Sequence, residues 1–264
     1  MRNINILNTS QLSSLGLSQT SKGVLLKWNT SDKYYKSGEL KYGNFSNLQP
    51  VIECICTDIR NKLGIKGADY SLQIINTDGS DEFDKQEILC CVSDNFLKDD
   101  ETLITFAKHY RNYNDKITYE KIIDDFNEYE KEINQMIVFD FIVNNVDRHF
   151  NNFGYISNGD RKFCPIFDNG LSLYSDLGID DIRTINKNKY ANKKFDRSKP
   201  FKNKHVSQIK LVNKLPEINL NNSNDEFIDI IIKYENYLGK ERMEAMISLI
   251  EERLDYVRKI YSDV

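Results

Sequence analysis

The chain has 264 residues, is 40% hydrophobic and 29% charged, and carries a net charge of -4 with a pI of about 5.6. That length buries a substantial core and suits one bilobal domain or two small ones. The acidic balance offers no broad basic field for nucleic acid, and no window is apolar enough for a membrane span, so neither is an expected partner.

The N-terminus, MRNINILNTSQL, lacks an apolar stretch behind a basic start, which argues against a signal peptide and for the cytoplasm. The five cysteines are Cys54, Cys56, Cys90, Cys91 and Cys164. An odd number, set mostly in apolar runs, reads as reduced core thiols, and Cys54/Cys56 lacks the spacing of a zinc pair. A composition rich in Asn, Lys, Ile and Tyr suggests an AT-rich bacterial genome.

The first third reads as β then α. GVLLKWN and KYYKSG predict a hairpin around TSD. In LQPVIECICTDIRNKLGI, Val51, Ile52, Ile55, Ile59 and Leu63 fall at helical spacing, with Pro50 near the start and Gly64 near the end. YSLQIIN and QEILCCVS predict two further strands. From about Asn95 the pattern turns helical, and YEKIIDDFNEYEKEINQMIVFDFIV grows more apolar toward Val143. FGYIS and KFCPIFD predict a second hairpin. The Asn- and Lys-rich stretch from Asp180 to Asn203 reads as loop, and the C-terminal stretch as helices.

The chemistry gathers at NNVDRHFNNFGYI, Asn144 to Ile156, where polar groups crowd the end of the apolar run MIVFDFIV. Asp147 and Asn152 are five residues apart, and Asp168 follows in PIFDNG. Phosphoryl transfer needs such a set: one carboxylate to position the acceptor hydroxyl and take its proton, and an Asn and a second Asp to hold magnesium on the phosphates of ATP. D-x-x-x-x-N is the spacing of the protein-kinase catalytic loop, and D-N-G stands where that loop's partner motif has D-F-G. Gly170 is expected to allow a sharp turn after the metal ligand. Asp147 also reads as a cap or turn residue, Arg148 as the partner of a carboxylate, and Asn151 as a rival to Asn152.

The loop order D-R-H-x-x-N resembles that of phosphatidylinositol kinases and of HipA-like bacterial serine/threonine kinases. The wider pattern favours the second group, from about Leu12 to about Val212. YYKSG resembles the strand bearing the nucleotide lysine, and VIECICTDIRNKLGI the following helix with its glutamate, Glu53. CCVSDNFLKDDETLITF resembles the segment between the lobes of small clostridial members, and SKPFKNKHVSQIKLV their C-terminal motif.

The resemblance implies an α+β, bilobal protein-kinase-like fold, with a β-rich N-lobe over residues 1–93 and a mainly helical C-lobe over 94–264. It implies ATP and Mg2+ as cofactors, Asp147 at the acceptor hydroxyl, His149 as a loop-supporting or chemical residue, and Asn152 and Asp168 at the metal. Lys36, rather than Lys27, is expected to orient phosphates, held by Glu53. The loop SSLGLSQTSKG (Ser13 to Gly23) is expected at the phosphates, with Ser14, Ser18 or Ser21 as a self-phosphorylation position. A hinge near Cys91 to Ser93 is expected to hold adenine through its main chain. The partners implied are a protein substrate with a Ser or Thr acceptor and an antitoxin or regulator. Full-length HipA toxins have a further N-terminal subdomain, and the chain is expected to lack it. A small-molecule or lipid-headgroup phosphotransferase, and a nucleotide-binding pseudokinase, are the alternative readings.

Overall fold

The structure is a computed structural model. It describes residues 7–9, 12–20, 23–81, 83–188 and 193–262. The strands of the first part are β1 (Leu7–Asn8), β2 (Ser13–Thr20), β3 (Gly23–Asn29), β4 (Lys33–Lys41), β5 (Asn44–Phe45), β6 (Tyr70–Asn76) and β7 (Glu87–Asp94), with helix α1 (Leu48–Lys62) between β5 and β6. They form one sheet in the order β1-β6-β7-β4-β3-β2, with β5 on β4. All neighbours run antiparallel except β1 on β6.

The predicted hairpin is β3–β4, and it carries Lys27 opposite Lys36. The loop expected over Ser13–Gly23 is instead, from Ser13 to Thr20, strand β2 paired along β3. Its glycine and serines suggested a loop, but ladder hydrogen bonds to β3 override that local preference.

The strands sort their side chains by alternation. Ile88, Cys90 and Val92 of β7 join Trp28 and Tyr35 in a cluster on one face of the sheet. Leu89 and Cys91 face the other way, into a larger core shared with α1 and the helices beyond. All five cysteines are buried free thiols. Helix α1 stops as its sequence predicts. Gly64 adopts φ 72°, Ile65 N donates to Arg60 O, and Gly64 N donates to Asn61 O, the paired bonds of a Schellman stop.

The second part holds β8 (Thr102–Thr105), α2 (Phe106–His109), α3 (Tyr119–Asp125), α4 (Glu130–Val143), β9 (Gly154–Ser157), β10 (Arg161–Phe163), α5 (Ile179–Lys187), α6 (His205–Gln208), α7 (Asn224–Ile232), α8 (Glu235–Leu238) and α9 (Lys240–Tyr261). The predicted hairpin is β9–β10, and β8 adds a third strand to it that the sequence reading did not contain. The long helical stretch is broken at Phe126, which leaves the helical region at φ -142°, ψ 54° and packs against Phe106 and Tyr129. The segment read as loop from Asp180 holds most of α5, whose Ile182 and Ile185 are buried. Among the described residues no helix is long and apolar enough to cross a membrane.

Candidate active site

Helix α4 delivers the polar cluster. Its last turn ends on Asn144, in the left-handed region at φ 52°, where Asn is tolerated better than most residues. Asn145 N donates to Asp140 O at 2.9 Å and closes the helix. Asn145 then sets the loop: its Oδ1 accepts from Asp147 N at 3.0 Å, and its Nδ2 donates to Asp140 Oδ1 at 3.1 Å. Asn152 Nδ2 donates to Asp147 O at 3.1 Å, so the two ends of D-x-x-x-x-N are tied together. Asn152 is buried and Asn151 exposed.

Arg148 sits beneath this loop, wholly buried. It forks onto Asp140, with Nε to Oδ2 at 2.9 Å and the second bond to Oδ1 at 3.0 Å. Its remaining donors reach Asn169 Oδ1 at 2.6 Å, Phe167 O at 2.5 Å and Asn152 O at 3.3 Å. One guanidinium therefore joins the D-R-H loop to the D-N-G segment, a fork geometry that lysine cannot supply.

From D-N-G the network continues into the sheet. Lys36 Nζ donates to Glu53 Oε1 at 2.9 Å and to Asp168 Oδ1 at 2.5 Å. Asn169 N donates to Glu53 Oε2 at 2.8 Å. Glu53 is fully buried, on the apolar side of α1. Lys27 makes neither of these contacts. Burial alone would raise the Asp168 carboxyl, but the charges of Lys36 and then Lys27 hold it well below the usual carboxylate range. Burial opposes the charge on Lys36, yet Asp168 and Glu53 keep its ammonium well above its ordinary value. The sharp backbone turn falls on Asp168 itself, at φ 59°, and not on Gly170. Gly170 serves a different need: a Cβ there would lie 3.2 Å from Glu53 Oε1 and 3.5 Å from Lys36 Nζ.

The other expected residues are placed as follows. His149 Nε2 is 3.9 Å from Asp147 Oδ2, beyond hydrogen-bond distance. Cys91 and Ser93 lie inside β7, paired with Lys36 and Tyr34 on one side and with Leu72 and Tyr70 on the other. Ser14 and Ser18 belong to β2, and Ser21 lies outside the described residues. A concavity of about 860 Å³ is lined by Leu63, Phe96, Gln135 and Phe163 among others, and none of the site's residues lines it.

Sequence reasoning missed Asp140, Asn145, Asn169 and Lys199. Lys199 Nζ donates to Asp147 Oδ1 at 2.8 Å. Asp140 had a signal: a carboxylate inside MIVFDFIV has to find a partner.

The donor set fits magnesium. The Asn152 amide nitrogen is committed to Asp147 O, which leaves its oxygen free to hold a cation, and Lys36 holds the Asp168 carboxyl below its usual range while leaving one of its oxygens beyond the Lys36 bond. Among the described residues no three His, Cys, Asp or Glu cluster as a self-sufficient metal cage. Magnesium does not need one, since it is commonly held by one or two carboxylates together with phosphates and water.

Compared by sequence, the chain matches no family model and no curated protein. Compared by structure, it is similar to the Helicobacter pylori proinflammatory kinase CtkA, with a TM-score of 0.69 and 14% identity over 98% of this chain and 99% of that one. A weaker likeness, with a TM-score of 0.47 and 10% identity, relates 94% of this chain to 66% of a chain from the Shewanella oneidensis MR-1 complex of the toxin–antitoxin proteins HipA and HipB with operator DNA. The likeness to CtkA runs over nearly the whole of both chains, and it gives this protein the fold of that kinase.

Proposed function

We propose that the chain is an ATP-dependent, HipA-like kinase that transfers the γ-phosphoryl group to a Ser or Thr hydroxyl of a protein, itself included. The observation that carries this reading is the unbroken hydrogen-bonded path Lys36–Glu53–Asn169–Arg148–Asn152–Asp147, with Asp168 on Lys36. It supports a phosphate-binding end and a hydroxyl-accepting end held in one rigid frame.

In this reading Lys36 orients phosphate oxygens, and Glu53 holds Lys36 in place. Asn152 and Asp168 would hold magnesium, which neutralises phosphate charge when bound. Asp147 positions the acceptor hydroxyl and takes its proton, and His149 supports the loop beside it. The β ladder pairs Cys91 and Ser93 on both sides, so the proposed adenine hinge moves from Cys91–Ser93 to the exit of β7 at Asp94. That exit is also the proposed boundary between lobes 1–93 and 94–264, since β7 ends at Asp94. Ser18 of β2 stands as the candidate phosphate-side serine. An antitoxin or regulator is expected from the sequence resemblance.

The test is incubation with γ-labelled ATP and magnesium, alone, with cell lysate and with small-molecule pools. Label in protein supports the reading. Label confined to small molecules replaces it with a small-molecule phosphotransferase. ATP binding with no transfer replaces it with a binding module.

A further inference from the structure

A lysine reaches the proposed acceptor carboxylate from outside both kinase-like motifs. Lys199 lies 52 residues beyond Asp147, and its Nζ donates to Asp147 Oδ1 at 2.8 Å. The segment that brings it there is built with care. Gln208 Nε2 donates to Lys199 O at 2.9 Å, while Gln208 Oε1 accepts from Phe201 N at 3.0 Å and Lys202 N at 3.1 Å. Ser198 Oγ donates to Lys202 O at 2.8 Å. Phe201 is buried against Tyr119, Phe150 and Phe153, so the segment packs on the flank of the D-R-H loop itself.

Stability does not account for this arrangement. The Lys199 side chain is 51% exposed, and an ion pair that open adds little to folding. Charge at the reacting centre does. During transfer, the bond from the acceptor oxygen to the γ-phosphorus forms as the bond from that phosphorus to the ADP oxygen breaks. The hydroxyl proton passes to Asp147, and ADP leaves with the electron pair. Negative charge spreads over the three equatorial oxygens of the moving group, close to the Asp147 carboxylate. Lys36 serves the phosphates from the other end, where Glu53 and Asp168 hold it. An ammonium has three donors, so Lys199 can keep one on Asp147 and turn another to an equatorial oxygen.

We infer that Lys199 is a catalytic residue that binds the transferred γ-phosphoryl group and holds it against the acceptor beside Asp147. The inference rests on the kinase reading above. It is tested by comparing wild type, Lys199→Ala, Lys199→Arg and Lys202→Ala for transfer of label from Mg-ATP to protein, and for the Kd of Mg-ADP and of the non-hydrolysable analogue AMP-PNP. Lys199→Ala is expected to lose about 100-fold in transfer rate, the scale of removing one preorganised donor to transition-state charge. Its Mg-ADP affinity stays within about twofold, its AMP-PNP affinity falls, and Lys199→Arg recovers part of the rate, because the contact is to the γ-phosphoryl group alone. Lys202→Ala behaves as wild type. Transfer by Lys199→Ala within about threefold of wild type overturns the role, as does an equal loss of ADP and AMP-PNP binding with a lowered melting temperature. No transfer by the wild type itself overturns the kinase reading and this role with it.

Discussion

Replacing Arg148 with Met removes a side chain that ties the D-R-H loop, the D-N-G segment and α4 together. Its partner Asp140 is fully buried, so the substitution leaves a carboxylate in the core with only Asn145 to bond it. Breaking a buried ion pair in this way costs about 3–5 kcal/mol. For a chain of this size that corresponds to a fall in melting temperature of about 6–20 °C. The double variant Asp140→Leu/Arg148→Met removes the stranded charge as well. It is expected to be more stable than the sum of the single variants by about 1–3 kcal/mol, the scale of coupling between contacting residues. Transfer activity should not return, because Phe167 O, Asn152 O and Asn169 Oδ1 lose their shared donor in either variant. Urea denaturation of the wild type, both single variants and the double variant gives the cycle, with labelled ATP for activity. A cost below about 1 kcal/mol for Arg148→Met, or strict additivity in the double variant, would refute the reasoning.

Lys36→Ala should lower transfer by about 100-fold, and Lys27→Ala far less, because only Lys36 joins Glu53 and Asp168. Loss in Lys27→Ala with full activity in Lys36→Ala would show that the wrong strand was chosen. His205 titrates against stability: burial, followed by the charge of Arg253, holds its imidazole well below the usual value, so the folded state keeps it neutral. Its contribution is present above about pH 6.5 and is lost as pH falls, because the unfolded chain then takes up a proton that the native state refuses, at about 1.4 kcal/mol per pH unit. Urea midpoints at pH 7.5 and 5.5 should converge in His205→Phe relative to wild type, and an unchanged gap would contradict a neutral buried ring.

Much of this was legible because the signals are local. The β3–β4 hairpin, α1 and β7 follow from period and stop residues, and Asp147, Asn152 and Asp168 from spacing within one loop and one hairpin. The misses are long-range. Strand β8 has four residues and exists through its pairing with β9, which no local pattern announces. Helix α5 was hidden by Asn- and Lys-rich surroundings, although Ile179, Ile182 and Ile185 recur at helical spacing. Phe126 ends α3 because an aromatic cluster claims its ring. At the site, Asp140 was visible as a charge in an apolar run, but its partner was not. Lys199 and Asn169 gain their meaning from contacts across the chain, 52 residues to Asp147 for Lys199, and 21 to Arg148 and 116 to Glu53 for Asn169.

The central claim is that Asp147 serves the acceptor hydroxyl while Asp168 serves the nucleotide's metal, and one pair of substitutions tests it directly. Both Asp147→Asn and Asp168→Asn keep side-chain size, and circular dichroism checks that each folds. The measurement is the Kd of Mg-ATP by calorimetry beside transfer of labelled phosphate to protein. The account predicts that Asp147→Asn abolishes transfer with Mg-ATP affinity nearly intact, and that Asp168→Asn loses both. Transfer by Asp147→Asn at the wild-type rate would contradict it.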